Sequence, residues 1–266
     1  MALTEPTNSL VQLGVVTKYE LLRHLRRRRL IAVVAIATLV GALYLLLPPI
    51  LNYEYPDRVE EFASRFLEQV DVLVITAGAF FAGDAVSSEF EKKTGFIIFP
   101  NPVRRSVLVF GKFAAAFISV AMVVLFYYSI AAASTIGIYG EVPAKLADSL
   151  LYALLYVGSV VGFTLLCSSL VRGSMGATLL SFFTLFLIMP IASVLLMFAD
   201  VEPWFLLTYA SGIITEAINP PTSRKVQIGP VTVYHPSANL SILVMADYLL
   251  LPLALSVYLA SRREME

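Results

Sequence analysis

The chain is poor in the residues that most catalytic and nucleic-acid-binding chemistry requires. It holds one cysteine, Cys167, and two histidines, His24 and His235, in 266 residues. A single cysteine excludes an intramolecular disulfide and a cysteine-based zinc cluster. Its place inside an apolar run gives it the character of a small hydrophobe. Charge is scarce as well: 14% of the residues are Asp, Glu, Lys or Arg, against roughly 25% in soluble domains. The formal charge is zero, so no overall basic signature for nucleic acid exists. No Walker A pattern occurs either. Gly111-Lys112 fails it because Ser106 stands where the first glycine belongs and Phe113 follows the lysine. There is no G-x-S-x-G elbow and no H-E-x-x-H. The expectation is a chain that does not hydrolyse ATP, has no catalytic or metal site, and binds no cofactor of its own.

What the chain has in abundance is apolar residues, 58% of the total, with a mean hydropathy of +0.81. Most of it must therefore lie in a membrane. Six apolar runs read as spans: 30–51, 70–87, 107–138, 146–171, 176–198 and 241–260. At ~1.5 Å per residue the first reaches about 33 Å, enough for a ~30 Å hydrocarbon core. That run is too long for a signal-peptide core and lacks a small-residue cleavage site, so it is expected to stay as an anchor. Residues 9–29 place Leu10, Leu13, Val16, Leu21, Leu22 and Leu25 at helical intervals among basic residues, the pattern of an amphipathic interfacial helix. The expected fold is one all-α transmembrane domain, 1–266, with six spans.

Basic residues orient it. Fourteen lysines and arginines fall in the segments on the side of the termini, including Arg26 to Arg29, and five fall on the other side. That asymmetry puts both termini in the cytoplasm of a cell membrane. The acidic segment 52–68 then lies outside. It contains Glu60-Glu61-x-x-x-Arg65, the first signature of CAAX-type intramembrane proteases. The histidines those enzymes need on later spans are missing, so the match carries no chemistry. On the same side, 199–240 holds an apolar stretch, Phe205 to Ile218, too short to span, which suits a short re-entrant helix. Strand-like runs on either side of Gly229-Pro230 suggest a small hairpin.

Two acids stand out in the spans. Asp84, at the inner end of the second span, reads first as an interfacial residue, and Asp247, in the sixth, reads as a helix-packing partner or a residue lining a path. Asp71, at the outer end of the second span, has the same interfacial reading.

The segment between the second and third spans is the most informative. Ser88 to Lys112 reads SEFEKKTGFIIFPNPVRRSVLVFGK: a charged turn, an apolar patch, a Pro-Asn-Pro break and two arginines entering the next span. Pro100 and Pro102 disfavour helix in the residues before them. A short, rigid connector of mixed charge suits docking better than catalysis. The plain alternative is a cytoplasmic loop with positive anchors.

This spacing resembles the corresponding segment of ABC-2 type transporter permeases. There, an acidic residue after the second span is followed by a Gly-Thr pair, an apolar stretch, Pro-Val-x-Arg, and Gly-Lys opening the third span. The matching residues are Glu89, Thr94 and Gly95 (in reversed order), Phe96 to Phe99, Pro102-Val103-Arg104-Arg105 and Gly111-Lys112. The resemblance implies a membrane subunit, an exporter, that pairs with a second permease subunit and is driven by a separate ABC-type ATPase. ATP and Mg would be bound by that ATPase. It also implies that Glu89, Glu91, Lys92, Lys93 and Thr94 contact the ATPase, with Phe96 and Phe99 packing nearby and Arg104 and Arg105 anchoring the third span. Two other classes stay open: a scaffold or assembly factor using the same loop, and a membrane enzyme using Asp84, Glu216 and Asp247.

Overall fold

The structure is a computed structural model that describes residues 9–26, 28–91, 105–229 and 231–262. Among the described residues, six helices are long and apolar enough to cross a membrane: Arg28–Ile50, Val59–Glu89, Arg105–Tyr139, Leu146–Leu170, Ser174–Phe198 and Ala238–Ser261. The protein is an all-α membrane protein. Among the described residues its sheet structure is one antiparallel hairpin, β1 (Lys225–Ile228) with β2 (Val231–Tyr234), in the register Lys225 opposite Tyr234.

Helix α1 (Ser9–Arg26) leads into α2 (Arg28–Ile50), the first span. Pro48 and Pro49 sit in its last turn. The end is set at Asn52, whose φ of 57° turns the chain left-handed, and Tyr53 N–H closes back on Pro48 O at 2.9 Å. The acidic segment that reads as a loop is partly helical. Helix α3 (Val59–Leu67) forms because Val59, Phe62, Phe66 and Leu67 share one buried stripe at i, i+3 and i+4 spacing. Arg65 folds onto Glu61 at 2.6 Å on the exposed side, so the Glu-Glu-x-x-x-Arg pattern is an ordinary i,i+4 helix pair.

Helix α4 (Val70–Ala82) continues the second span to the short α5 (Ser87–Glu91). The third span is α6 (Arg105–Tyr139), 35 residues long. At ~1.5 Å per residue it runs about 52 Å, so several turns must project beyond a ~30 Å hydrocarbon core. The fourth span is α7 (Leu146–Leu170). The fifth comprises α8 (Ser174–Phe183), a π-helical turn at Thr184–Ile188 and α9 (Met189–Phe198). Pro190 lies just beyond that turn, as the second residue of α9. A proline has no N–H to return to the preceding turn, and a π-helical turn is the local widening that accommodates it.

The segment after α9 turns at Asp200 (φ 58°) and packs back as two short helices, α10 (Leu207–Ala210) and α11 (Ile213–Glu216). Leu207, Ile213 and Ile214 are buried. Ser149 on α7 donates to Ile214 O at 2.6 Å, which satisfies a carbonyl that the short helix leaves open. The sixth span is α12 (Ala238–Arg262).

The core runs between α3, α4, α6 and α7. Phe62, Phe66, Tyr127 and Tyr156 are its largest buried rings, and Tyr127 donates to Phe66 O at 2.9 Å. The second span is the most enclosed of the six, while the first and fifth bury the least of their length. Span 4 meets spans 2 and 6 at glycines. A Cβ on Gly78 would lie 2.7 Å from Val160, and one on Gly158 would lie 2.4 Å from Leu249. Small residues at crossings let helices approach without hydrophobic driving force from water.

Candidate functional site

One end of the bundle gathers α1, α5, the start of α6, the start of α8 and the end of α12. Its centre is Lys112, 3% exposed. The Lys112 ammonium donates to Glu20 Oε1 at 2.8 Å and sits 2.8 Å from Glu89 Oε1. Three elements supply these charges because of helical spacing. On α1, Val16, Glu20 and His24 lie four residues apart on one stripe. Val16 packs on Gly111, where a Cβ would come within 2.5 Å of it. His24 Nδ1 is 3.0 Å from the Ser119 hydroxyl. Gly111 thus lets α1 lie close enough for Glu20 to reach Lys112. Arg23 Nη2 approaches Glu20 Oε2 at 2.6 Å, a charge contact whose alignment does not make a hydrogen bond.

Burial works against the Glu20 carboxylate, but Lys112 and Arg23 more than offset it and hold its pKa below the ordinary carboxylate value. A buried ammonium between two carboxylates is costly to desolvate, and it is retained only where its partners are close.

The turn carrying Glu89 is itself pinned. The Ser168 hydroxyl oxygen accepts from the N–H groups of Val86 (3.0 Å) and Ser87 (3.1 Å), tying α5 to the end of α7. Glu91 accepts from the backbone N–H of Ser174 at 2.8 Å and from the Ser174 hydroxyl, which satisfies the first turn of α8. Asp84 accepts from Arg29 Nη1 at 3.0 Å, and the same nitrogen donates to Phe80 O at 2.9 Å. Arg105 Nη1 donates to Ala260 O (3.2 Å) and Ser261 O (2.9 Å), the free carbonyls at the end of α12.

The residues singled out in the sequence therefore divide. Lys92, Lys93, Thr94, Phe96, Phe99 and Arg104 lie outside the described residues. Glu89 is 9% exposed and turned inward to Lys112 rather than out to a partner. Glu91 and Arg105 each hold a neighbouring span. Asp84 is not a lone interfacial acid but the counter-ion of Arg29. Asp247 is exposed on span 6, on the side away from the buried Ser241, Met245, Leu253 and Ser256, so it does not serve the packing within this chain. Lys112 was marked in the sequence only as part of the Gly-Lys pair opening the third span, and Glu20, His24 and Ser168 were not singled out as site residues. The available signal was an acid and a histidine on one stripe of an otherwise basic helix.

The opposite end carries a second polar group. His235 Nδ1 is 2.7 Å from Glu216 Oε1, beside a cleft of about 440 Å³ reached by Lys145, Asp148, Tyr152 and Arg224. Burial raises the Glu216 carboxyl above its ordinary pKa, although His235 and Arg224 pull the other way. Asp200 accepts from the Tyr234 hydroxyl at 2.8 Å, and this lowers its pKa. Asp71 accepts a hydrogen bond from Tyr156, a half-buried pairing within the bundle rather than a lone interfacial acid. Asp84, Glu216 and Asp247 form no common cluster, and among the described residues no three His, Cys, Asp or Glu side chains could hold a metal ion.

The Lys112 end is a set of ion pairs and hydrogen bonds that join different helices. What it offers is mechanical linkage. The residues on either side of the 92–104 segment are fastened to other helices, Glu89 to the buried Lys112, Glu91 to Ser174 and Arg105 to the last carbonyls of α12. A search of curated proteins finds no match to the chain. A family model described as "ABC-2 family transporter protein" matches residues 18–190.

Proposed function

Because the chain belongs to the ABC-2 family of transporter proteins, we propose that it is the membrane-spanning permease subunit of an ABC transporter, driven by a separate ATP-binding subunit. The end of the bundle that carries Lys112 is the cytoplasmic one, since fourteen of the 19 lysines and arginines sit in segments on that side. The ATPase docks on the loop between spans 2 and 3, and ATP and Mg stay on the ATPase. Two permease subunits complete the transporter, and the direction is outward.

The observation that carries this reading is the Glu20–Lys112–Glu89 ion cluster at the base of the loop. A docked partner that displaces the loop pulls on α1, α6 and, through Glu91 and Arg105, on spans 5 and 6. Contacts that differ between two arrangements are what let one event bias the other. Roles within the loop follow. Lys92, Lys93, Thr94, Phe96, Phe99 and Arg104 make the ATPase contact, while Glu89, Glu91 and Arg105 transmit it. Asp247, an acid on the outside of a span, faces a second subunit or the aqueous path between two subunits, because lipid would not hold it.

The test is purification from the native membrane in mild detergent, with the co-purifying polypeptides identified by mass spectrometry. A near-stoichiometric ABC-type ATPase is expected. Reversing Lys92 and Lys93 to glutamate should release it, while Glu91→Gln should leave it bound and reduce transport-linked ATP hydrolysis. A folded preparation without any ATPase would reject the permease reading. Undiminished association of the reversed loop would reject the contact assignment.

A further inference from the structure

A groove of about 260 Å³ lies between spans 1, 2 and 5, lined by Arg29, Phe80, Ser174, Met175, Thr178 and Leu179. Arg29 is the second residue of span 1 and Ser174 the first of span 5. The groove therefore sits where lipid headgroups meet the hydrocarbon. Its walls differ along their length. Arg29, Ser174 and Thr178 make the polar end. Phe80, Met175 and Leu179 make an apolar side, and Met175 is 76% exposed at its mouth. Spans 1 and 5 are the two that bury least of their surface in the bundle.

The charges decide what fits. Asp84 is already met by Arg29, and Glu91 by the N–H and hydroxyl of Ser174. Arg29 uses only Nη1 in its described bonds, while a guanidinium has five N–H donors in a fork suited to phosphate. Arg26 and Arg28 flank it and are exposed. The local balance is thus positive beside an apolar slot at headgroup depth. Basic pockets between spans at that depth fit anionic headgroups.

We infer that this groove binds one anionic glycerophospholipid of the leaflet on the Lys112 side. Its phosphate pairs with the free edge of Arg29, and the first methylenes of a chain lie along Phe80, Met175 and Leu179. A zwitterionic lipid brings no net charge to offset the arginines. Free phosphate brings no apolar chain for the groove wall. The site depends on the helices being spans and not on the ATPase partner. It joins span 1 to span 5 next to the Glu91–Ser174 anchor, so an occupied groove holds the first turn of span 5 in place.

Native mass spectrometry of the full chain, delipidated in neutral detergent and titrated with phosphatidylglycerol or phosphatidylcholine of equal chain length, tests the inference. One phosphatidylglycerol should bind at a roughly fivefold to tenfold lower concentration than phosphatidylcholine. Arg29→Gln should remove the difference. Because Arg29 also holds Asp84, Met175→Glu is the second variant: it leaves the ion pair intact and puts a repelling carboxylate at the mouth. It should remove the preference while melting with the wild type. Equal binding of the two lipids overturns the site, as does a Met175→Glu variant that keeps the preference. Displacement of phosphatidylglycerol by millimolar inorganic phosphate would also overturn the lipid assignment.

Discussion

Lys112→Met is expected to lower the thermal stability of the purified chain by roughly 3–5 kcal/mol at pH 7, the usual cost of removing one member of a buried ion cluster. Lys112 is 3% exposed and is the counter-charge of both Glu20 and Glu89. Methionine fills much of the volume but leaves two carboxylates facing each other away from water. The pH dependence should distinguish this cause from lost packing. In the wild type the Glu20 pKa is depressed. Its contribution is therefore present above the ordinary carboxylate value and is lost as pH falls through the depressed one. In the variant Glu20 has lost the Lys112 charge that offsets its burial, so it gains by taking up a proton. The difference between the two proteins should shrink as pH is lowered from 7 toward 5, as measured by thermal melting in detergent. The triple variant Glu20→Gln, Lys112→Met, Glu89→Gln should recover most of the stability, because uncharged residues in place of a buried ion cluster are often close to neutral. A Lys112→Met protein that melts with the wild type at pH 7 would remove the cluster from any part in holding the loop.

The triple variant also separates stability from transmission. It folds, but the loop is no longer joined to α1 by charge. ATPase activity of the complex should then become less sensitive to the permease, even though the subunits stay associated. A merely structural cluster would leave that coupling unchanged.

The elements legible in the sequence were those whose signal is local. Six helices long enough to span could be seen because each is a long apolar run. The hairpin was visible around Gly229-Pro230 for the same reason. Helix α3 was hidden because Glu60, Glu61 and Arg65 dominate a short stretch whose apolar residues number only a few. Only the buried faces of Phe62 and Phe66 show that it belongs to the bundle.

The site was less legible because it is made of distant pairs. Glu20 and Lys112 are 92 residues apart, and Arg29 and Asp84 are 55 apart. Charge along the chain shows that such residues exist, but not which face inward. Glu89 read as a surface contact because its neighbours Glu91, Lys92 and Lys93 are all charged. Its direction is set instead by Lys112 and by the serine that pins its turn. Asp247 was ambiguous for the opposite reason: a helix phase of one residue decides whether it meets span 4 or leaves the bundle.

Gly162→Leu should be strongly destabilising, and Gly158→Ala, one turn away, should be tolerated. Both glycines face α12. A Cβ at Gly158 would meet Leu249 Cδ1 at 2.4 Å, the far end of a side chain that can rotate away. A Cβ at Gly162 would lie 3.1 Å from Leu249 O, 3.2 Å from Tyr248 O and 3.4 Å from Leu249 Cα. Those are backbone atoms of a helix, and they move only if the helix moves. Overpacking ordinarily costs about 1–3 kcal/mol, and a leucine against backbone should reach or pass the upper figure. The same seam holds the Ser159 hydroxyl donating to Met245 O at 2.6 Å, which parting the helices would break. The consequence extends to the loop. Span 4 pins α5 through Ser168, and span 6 holds Arg105 through its last carbonyls. The two helices thus carry the two sides of the loop as one body. Gly162→Leu is expected to lower the melting temperature by several degrees and to weaken the response of the ATPase to the permease, whereas Gly158→Ala should stay within about 1 kcal/mol of wild type. Wild-type melting of Gly162→Leu would show that the seam yields, and that the two sides of the loop are not held as one unit.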